Sequence, residues 1–211
     1  MYKRQYLSST VAVDSSISED NKYMSFGEVN TSGTLIQSSI KTVSIEKAKQ
    51  TPSDSIINTY DAEQNDLIIN IQYQDKNRLI CMYNSSIHII KDGKDEVLVS
   101  LNEKDNNITF SDIELSSNAY RIIEKSAGLF KSNSTVEIYN TTSKKQNIYN
   151  FNGVAKKVYS YGNIIAIDLG SEVLFINMNG WLIKKYNSAQ DIKNIVLTDN
   201  LAGIVLSLIH I

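Results

Sequence analysis

The chain has 211 residues and contains few of the residue types from which common sites are built: one cysteine, one proline, one tryptophan, two histidines and nine glycines. A single cysteine, Cys81, excludes a disulfide within the chain. It lies in the apolar run 79–83, which predicts a small buried hydrophobe rather than a reactive thiol. The glycines are scattered singly, so no glycine-rich phosphate-binding loop is present.

The chain also lacks a large excess of charge of either sign. The 21 basic residues are offset by 23 acidic ones, which argues against nucleic-acid binding driven by charge. An apolar content of 42% is ordinary for a folded globular protein, and the chain is long enough to bury a core. The sequence therefore predicts an ordered domain and no nucleic-acid partner.

Both ends of the chain resemble translated sequencing adapter, residues 1–5 on one strand and residues 206–211 on the other. We therefore expect residues 6–205 to be an internal piece of a longer protein and exclude the flanks from fold prediction. Neither a signal peptide nor a transmembrane run occurs in the sequence. If the natural N-terminus is missing, that absence excludes nothing.

What the chain does contain is a recurrent turn. An asparagine precedes a short apolar, strand-forming run at Asn21, Asn77, Asn118, Asn163 and Asn200. The intervals of roughly 40 to 55 residues are typical of β-propeller blades, including those of the WD40 type. The clearest unit is 155–188, which reads as four short strands joined by tight turns, with no room for a crossover helix.

This pattern predicts an all-β fold: a partial β-propeller of about four four-stranded antiparallel blades and the start of a fifth. The predicted blades lie near 11–61, 67–101, 108–152 and 155–187, and the partial blade covers 191–205. Helix is expected at most over 45–50, and Pro52 suits the start of an outermost strand. The alternative is a β-sandwich of some sixteen strands, which the repeated grouping into fours disfavours.

Four side chains are the strongest candidates for chemistry. Outside the predicted adapter His88 is the single histidine, and its alternation with apolar neighbours favours a strand-face role over that of a base. Asp112 and Glu114 share a face of a predicted innermost strand, where paired acids bind a cation, act as acid and base, or simply face the solvated channel. Trp181 is predicted to pack between blades. We assign no catalytic, cofactor-binding or metal-binding residue and expect no cofactor.

Several segments resemble an uncharacterised clostridial family of propeller-like proteins: 162–172, 175–186 and 200–205, with 79–83 and 86–89 similar to its earlier blades. The resemblance implies a single N-terminal transmembrane helix ahead of an extracytoplasmic propeller. It implies no activity and no functional residue. In that family another strand follows the segment matching 202–205, whereas this chain departs there into the predicted adapter.

The predicted fold and the family resemblance lead us to expect one of two functions. The first is a non-enzymatic binding or scaffolding propeller on the outer face of a bacterial membrane, with an unknown protein or glycan partner and membrane contact only through the missing helix. The second is an enzyme or cofactor-binding propeller, hydrolase or quinoprotein-like, with its site in the central funnel.

Overall fold

The computed structural model describes residues 10–30, 36–63, 66–100, 108–114, 117–126, 132–198 and 201–207. The chain divides into two compact units, 1–102 and 103–211. Within the described residues the structure is almost entirely antiparallel sheet, with one short helix.

The first unit holds two four-stranded sheets. The first sheet is formed in chain order by β1 (Thr10–Ile17), β2 (Tyr23–Asn30), β3 (Gln37–Ser44) and β4 (Ile56–Asp61). The second is formed by β5 (Ile68–Tyr73), β6 (Arg78–Tyr83), β7 (Ser86–Lys91) and β8 (Lys94–Ser100).

The second unit holds two further four-stranded sheets and a strand pair. The third sheet contains β9 (Ile108–Glu114), β10 (Asn118–Ser126), β11 (Ser132–Asn140) and β12 (Lys145–Asn152). The fourth contains β13 (Lys157–Tyr161), β14 (Ile164–Asp168), β15 (Glu172–Asn177) and β16 (Leu182–Asn187). The pair is β17 (Ile192–Leu197) with β18 (Ala202–Leu206). Four-stranded sheets that follow one another along the chain confirm the predicted fold class.

The helix α1 (Ile45–Gln50) lies where the sequence allowed one. The side chain of Ser44 caps it by accepting a hydrogen bond from the backbone N–H of Lys47, and β3 ends at this residue. A short 3₁₀ turn, Pro52–Asp54, then leads into the outer strand β4, as the position of the proline indicated.

The core of the first unit lies between its two sheets. Ile40 of β3 is fully buried against Ile68 and Ile71 of β5, together with Leu79, Cys81 and Ile90. Gly27 of β2 permits this close approach, because a Cβ there would lie 2.7 Å from Cγ2 of Ile68.

The two central strands of the fourth sheet, β14 and β15, are buried on both faces. Ile165 and Ile167 of β14 pack toward the third sheet, whereas Ala166 packs toward β17 and β18. Successive side chains of a strand point to opposite faces, so a strand covered on both sides is a continuous apolar run. The uninterrupted run 164–167 is thus explained by its place in the middle of the second unit.

The recurrent asparagines lie at the hairpin between the first and second strands of each four-stranded sheet: Asn21, Asn77 and Asn163 in the connection itself, and Asn118 as the first residue of β10. Asn21 has a left-handed φ of 56° there, and Asn163 follows Gly162, whose φ is 59°. Asparagine and glycine tolerate these angles better than other residues. The fifth, Asn200, lies outside the described residues.

First strands of neighbouring sheets are joined by polar side chains within each unit. In the first unit, Asp14 Oδ2 accepts a hydrogen bond from the backbone N–H of Ile71 at 2.8 Å, and Ser16 Oγ accepts one from Tyr73 N–H at 2.9 Å. In the second, Lys157 Nζ of β13 donates to the carbonyl of Lys193 in β17 at 2.7 Å. Satisfied polar groups therefore fix the register of neighbouring sheets.

The predicted adapter segments fall largely outside the described residues, which begin at residue 10 and end at residue 207. Leu206 ends β18, and the adapter origin of both ends stays a prediction. Within the described part of the chain, no helix is both long and apolar enough to cross a membrane.

Candidate functional site

The predicted acid pair lies at the end of β9, next to β13. The Ser160 hydroxyl donates to Asp112 Oδ2 at 3.4 Å. Burial raises the pKa of the Glu114 carboxyl, and the neighbouring Asp112 charge raises it further, while Ser160 and the backbone of Gly162 act in the other direction. Among the described residues no group of three or more His, Cys, Asp or Glu side chains is placed to hold a metal ion. The pair therefore connects the first strands of the third and fourth sheets, β9 and β13.

His88 has partners that the sequence did not predict. Its Nε2 lies 2.8 Å from Ser86 Oγ, and its Nδ1 lies 2.9 Å from Asp95 Oδ1. Ser86 precedes it by two residues on β7 and so shares its face, while Asp95 comes from the adjacent strand β8. A serine, a histidine and an aspartate thus form one hydrogen-bonded chain, the arrangement that activates a serine nucleophile.

The surroundings of Ser86 weaken that interpretation. Its hydroxyl also donates to Asp66 Oδ2 at 3.3 Å, and the residue is only 7% exposed. The ring of Tyr83 covers one side of His88, with ring centroids 4.8 Å apart. The hydrogen bonds of Ser86, His88 and Asp95 therefore fit a structural role as well as a catalytic one. In the structural role they connect β7 with β8 and with the segment before β5.

The sequence predicts that Cys81 and Trp181 are both buried, and the structure confirms this for Cys81 only. Cys81 is fully buried, as predicted, and burial raises the pKa of its thiol well above the usual value, which makes it unreactive. The packing prediction for Trp181 is wrong, because this residue is 70% exposed. Asn177 Oδ1 accepts hydrogen bonds from the backbone N–H groups of Asn179 and Trp181, and Gly180 has a φ of 78°, so the turn directs the indole outward.

The concave site that best suits a ligand lies between the two sheets of the first unit, near the β5–β6 and β7–β8 turns. This tyrosine cleft has a volume of about 340 Å³, within the range of about 300–1,000 Å³ common for small-molecule sites. Its described lining consists of a buried floor, two half-buried walls and an exposed rim. The residues are Thr42, Tyr73, Leu79 and Ile90 (floor), Tyr23 and Tyr60 (walls), and Asn58, Asn77, Asp92 and Gly93 (rim).

The floor of the tyrosine cleft is linked to its surroundings by hydrogen bonds between buried hydroxyls. The hydroxyls of Tyr73 and Ser25 lie 2.9 Å apart, and Ser25 Oγ lies 2.8 Å from Thr42 Oγ1. Burial raises the pKa of the phenols of Tyr60 and Tyr73, and the Asp95 charge adds to this effect at Tyr60. Both phenols therefore keep their protons and remain hydrogen-bond donors at neutral pH.

The rim is built from two linked turns. Asp75 Oδ1 accepts hydrogen bonds from the backbone N–H groups of Asn77 and Arg78, both at 2.9 Å, and Asn77 Nδ2 donates to Asp92 Oδ1 at 2.6 Å. Asp92 and Gly93 have φ values of 50° and 77°, as a tight β7–β8 hairpin requires. Amide and carboxylate groups are thus fixed at the mouth of the cleft before any ligand arrives.

The sequence alone does not predict this cleft. Its three tyrosines come from β2, β4 and β5, and only the packing of two sheets brings them together. The one available signal was compositional, since the chain has 12 tyrosines.

Solved structures with similar folds have almost unrelated sequences. An oligogalacturonate lyase in complex with manganese aligns with a TM-score of 0.59 at 9% identity, over 87% of this chain and 54% of that one. Prolyl oligopeptidase B from Galerina marginata aligns with a TM-score of 0.53 at 11% identity, over 89% and 30%. Sqt1 from Chaetomium thermophilum aligns with a TM-score of 0.50 at 10% identity, over 80% and 44%.

These neighbours are propeller-like, and some of them are enzymes. At such low identity they show the fold alone. The chain spans roughly a third to a half of these three proteins. No protein of curated function matches its sequence. Residues 6–206, nearly the whole chain, match the sequence model of the family of unknown function DUF5711, and the chain belongs to that family.

Proposed function

We propose that this chain is a non-enzymatic binding module, the extracytoplasmic propeller domain of a membrane-anchored bacterial protein that displays its surface to a protein or glycan partner. The tyrosine cleft carries the binding part of this proposal. Hydrogen bonds hold its floor and its rim, and it combines aromatic walls with polar groups at its mouth, the usual composition of a ligand site.

The placement at a membrane rests on the family resemblance of the segments quoted above. The coding sequence upstream of residue 6 tests it directly. We expect a single apolar segment of about 20 residues there, and a gene that opens directly with a blade strand contradicts the anchored placement.

The binding role is tested by calorimetry against small panels of oligosaccharides, peptides and nucleotides. We expect at least one class to bind, and the Tyr60→Ala variant to lose that binding, because Tyr60 forms a wall of the cleft. Tyr161, an exposed tyrosine of β13, supplies the control variant Tyr161→Ala, which should bind normally. Binding that Tyr60→Ala leaves unchanged, or no binding from any class, contradicts the proposal.

A hydrolase is the second candidate, and the Ser86–His88–Asp95 chain is the observation that favours it. In that reaction Ser86 Oγ attacks an acyl carbonyl while His88 Nε2 takes its proton and returns it to the leaving group, and water then releases the acyl group from the serine.

A fluorophosphonate probe distinguishes the two candidates. Covalent labelling of Ser86, abolished by Ser86→Ala and retained in the neighbouring Ser85→Ala, supports the hydrolase. Because Ser86 is buried and shared with Asp66, we expect no labelling.

A further inference from the structure

Building on the proposed binding function, we infer that the tyrosine cleft takes a neutral sugar unit of a glycan, with the ring faces of Tyr23 and Tyr60 against the sugar and the rim amides on its hydroxyls. Three features of the cleft favour this class of ligand.

The first feature is charge. Asp92 is the one charged residue among the described groups that line the cleft. No lysine, arginine or histidine of the described lining is present to pair with a phosphate, sulfate or carboxylate, and Asp92 repels such groups. Nucleotides and acidic sugars are therefore disfavoured, while uncharged ligands suit the site.

The second feature is the combination of flat apolar surface and hydrogen-bonding groups. A sugar ring has one face of C–H groups and a periphery of hydroxyls that both donate and accept. Half-buried tyrosine rings match the first requirement, and the amides of Asn58 and Asn77 with the Asp92 carboxylate match the second. A purely apolar ligand would return no hydrogen bond to the Asn58 amide or to the atoms of Asn77 and Asp92 outside their mutual hydrogen bond.

The third feature is shape, and it separates a glycan from a peptide. A peptide that adds a strand to a sheet pairs its main chain with an exposed strand edge. This cleft is bordered instead by side chains from the facing surfaces of two sheets and by two turns. Its volume of about 340 Å³ accommodates one or two sugar rings rather than a folded segment.

Calorimetry with four probes tests the inference: chitotetraose and cellotetraose as neutral glycans, tetragalacturonate as an acidic glycan, and an alanine–glycine tetrapeptide. We expect a neutral glycan to bind, and Tyr60→Ala to weaken it about tenfold, the loss of one aromatic contact. Tyr60→Phe, which keeps the ring, should stay within about threefold of the wild type.

Because Tyr60 also touches the core of the first unit, Asn58→Ala provides a second variant on the exposed rim, expected to bind severalfold more weakly while remaining folded by circular dichroism. Tyr161→Ala is the matched control. Preferred binding of tetragalacturonate or of the tetrapeptide overturns the sugar inference while leaving the binding function standing. Failure of all four probes overturns the inference, and the wider panels then decide whether the binding function survives.

Discussion

At the residue scale, Gly27 is a position of the first unit where a larger side chain does not fit. It is a strand glycine whose missing side chain leaves room for Ile68 of the neighbouring sheet, and a Cβ would lie 2.7 Å from Ile68 Cγ2. Real Cβ atoms do not approach this closely, and Ile68 is itself 3% exposed and packed in the core, so it has little room to move.

We predict that Gly27→Ala lowers the free energy of unfolding by about 1–3 kcal/mol, the usual range for overpacking a core. Gly203 supplies a matched control, since it is also a strand glycine and a Cβ there meets none of the described atoms within 4 Å. Urea unfolding followed by circular dichroism measures both variants. If Gly27→Ala lowers the free energy of unfolding no more than Gly203→Ala does, the first and second sheets do not pack closely at Gly27.

At the scale of single elements, β11 carries a buried ionic group. Arg121 Nε of β10 donates to Glu137 Oε2 at 2.7 Å, and the hydroxyl of Tyr139 donates to the same oxygen at 2.6 Å. The side chains of Arg121 and Glu137 are 3% and 10% exposed. Burial raises the pKa of Tyr139, and its bond to Glu137 raises it further, so the phenol remains a donor.

Removing the carboxylate leaves the buried guanidinium without its counter-charge. We predict that Glu137→Ala costs about 3–5 kcal/mol of folding stability. In the same unit, Glu172 pairs with Lys185 at 3.1 Å on the surface, and Glu172→Ala should cost at most about 1 kcal/mol. Parallel denaturant titrations compare the two, and a Glu137→Ala loss as small as that of Glu172→Ala would contradict the buried pair.

The same elements show what the sequence predicts and what it does not. The run 164–167 and the turn at Gly162 specify a hairpin by composition alone, and the structure confirms it. The contact of His88 with Asp95 depends on the pairing of β7 with β8, including a bulge beside His88 that single-sequence patterns do not reveal. Trp181 shows that hydrophobicity alone does not predict burial. It follows a turn held by Asn177, and its side chain is exposed.

At the scale of the whole molecule, the all-β class and the four-strand grouping were predictable because each sheet is built from neighbouring segments joined by short hairpins. The tyrosine cleft was not, because Tyr23 and Tyr73 are 50 residues apart in sequence and meet only through the packing of separate sheets. A site between two sheets depends on how the sheets pack against each other. A sequence repeat shows which residues belong to each blade, but it does not show which side chains of two blades meet.

The stability of the whole molecule depends on pH through two carboxyls whose pKa values are shifted in opposite directions, Glu28 and Glu114. Burial of Glu28 opposes its charge, but hydrogen bonds from Lys41, Thr10 and Ser39 and the charge of Lys41 outweigh it and lower its pKa below 4.5. A lowered pKa in the folded state means that this group stabilises the fold above pH 4.5 and that the contribution disappears as pH falls through the folded value. Glu114 has the opposite sign, since its raised pKa favours the folded state at low pH and loses that effect as pH rises.

We therefore predict that Glu28→Gln is less stable than the wild type at pH 7 and that the difference narrows as pH falls below 4.5, the ordinary value of the group. Glu114→Gln should be at least as stable as the wild type at pH 7, because it removes a carboxyl that the fold prefers protonated. Urea unfolding at a series of pH values from 3 to 7 measures both, with the exposed Glu96→Gln of β8 as control. If Glu28→Gln and Glu96→Gln follow the same profile, the hydrogen bonds to Glu28 do not stabilise the first sheet, and the acid sensitivity of the molecule has to come from carboxyls elsewhere.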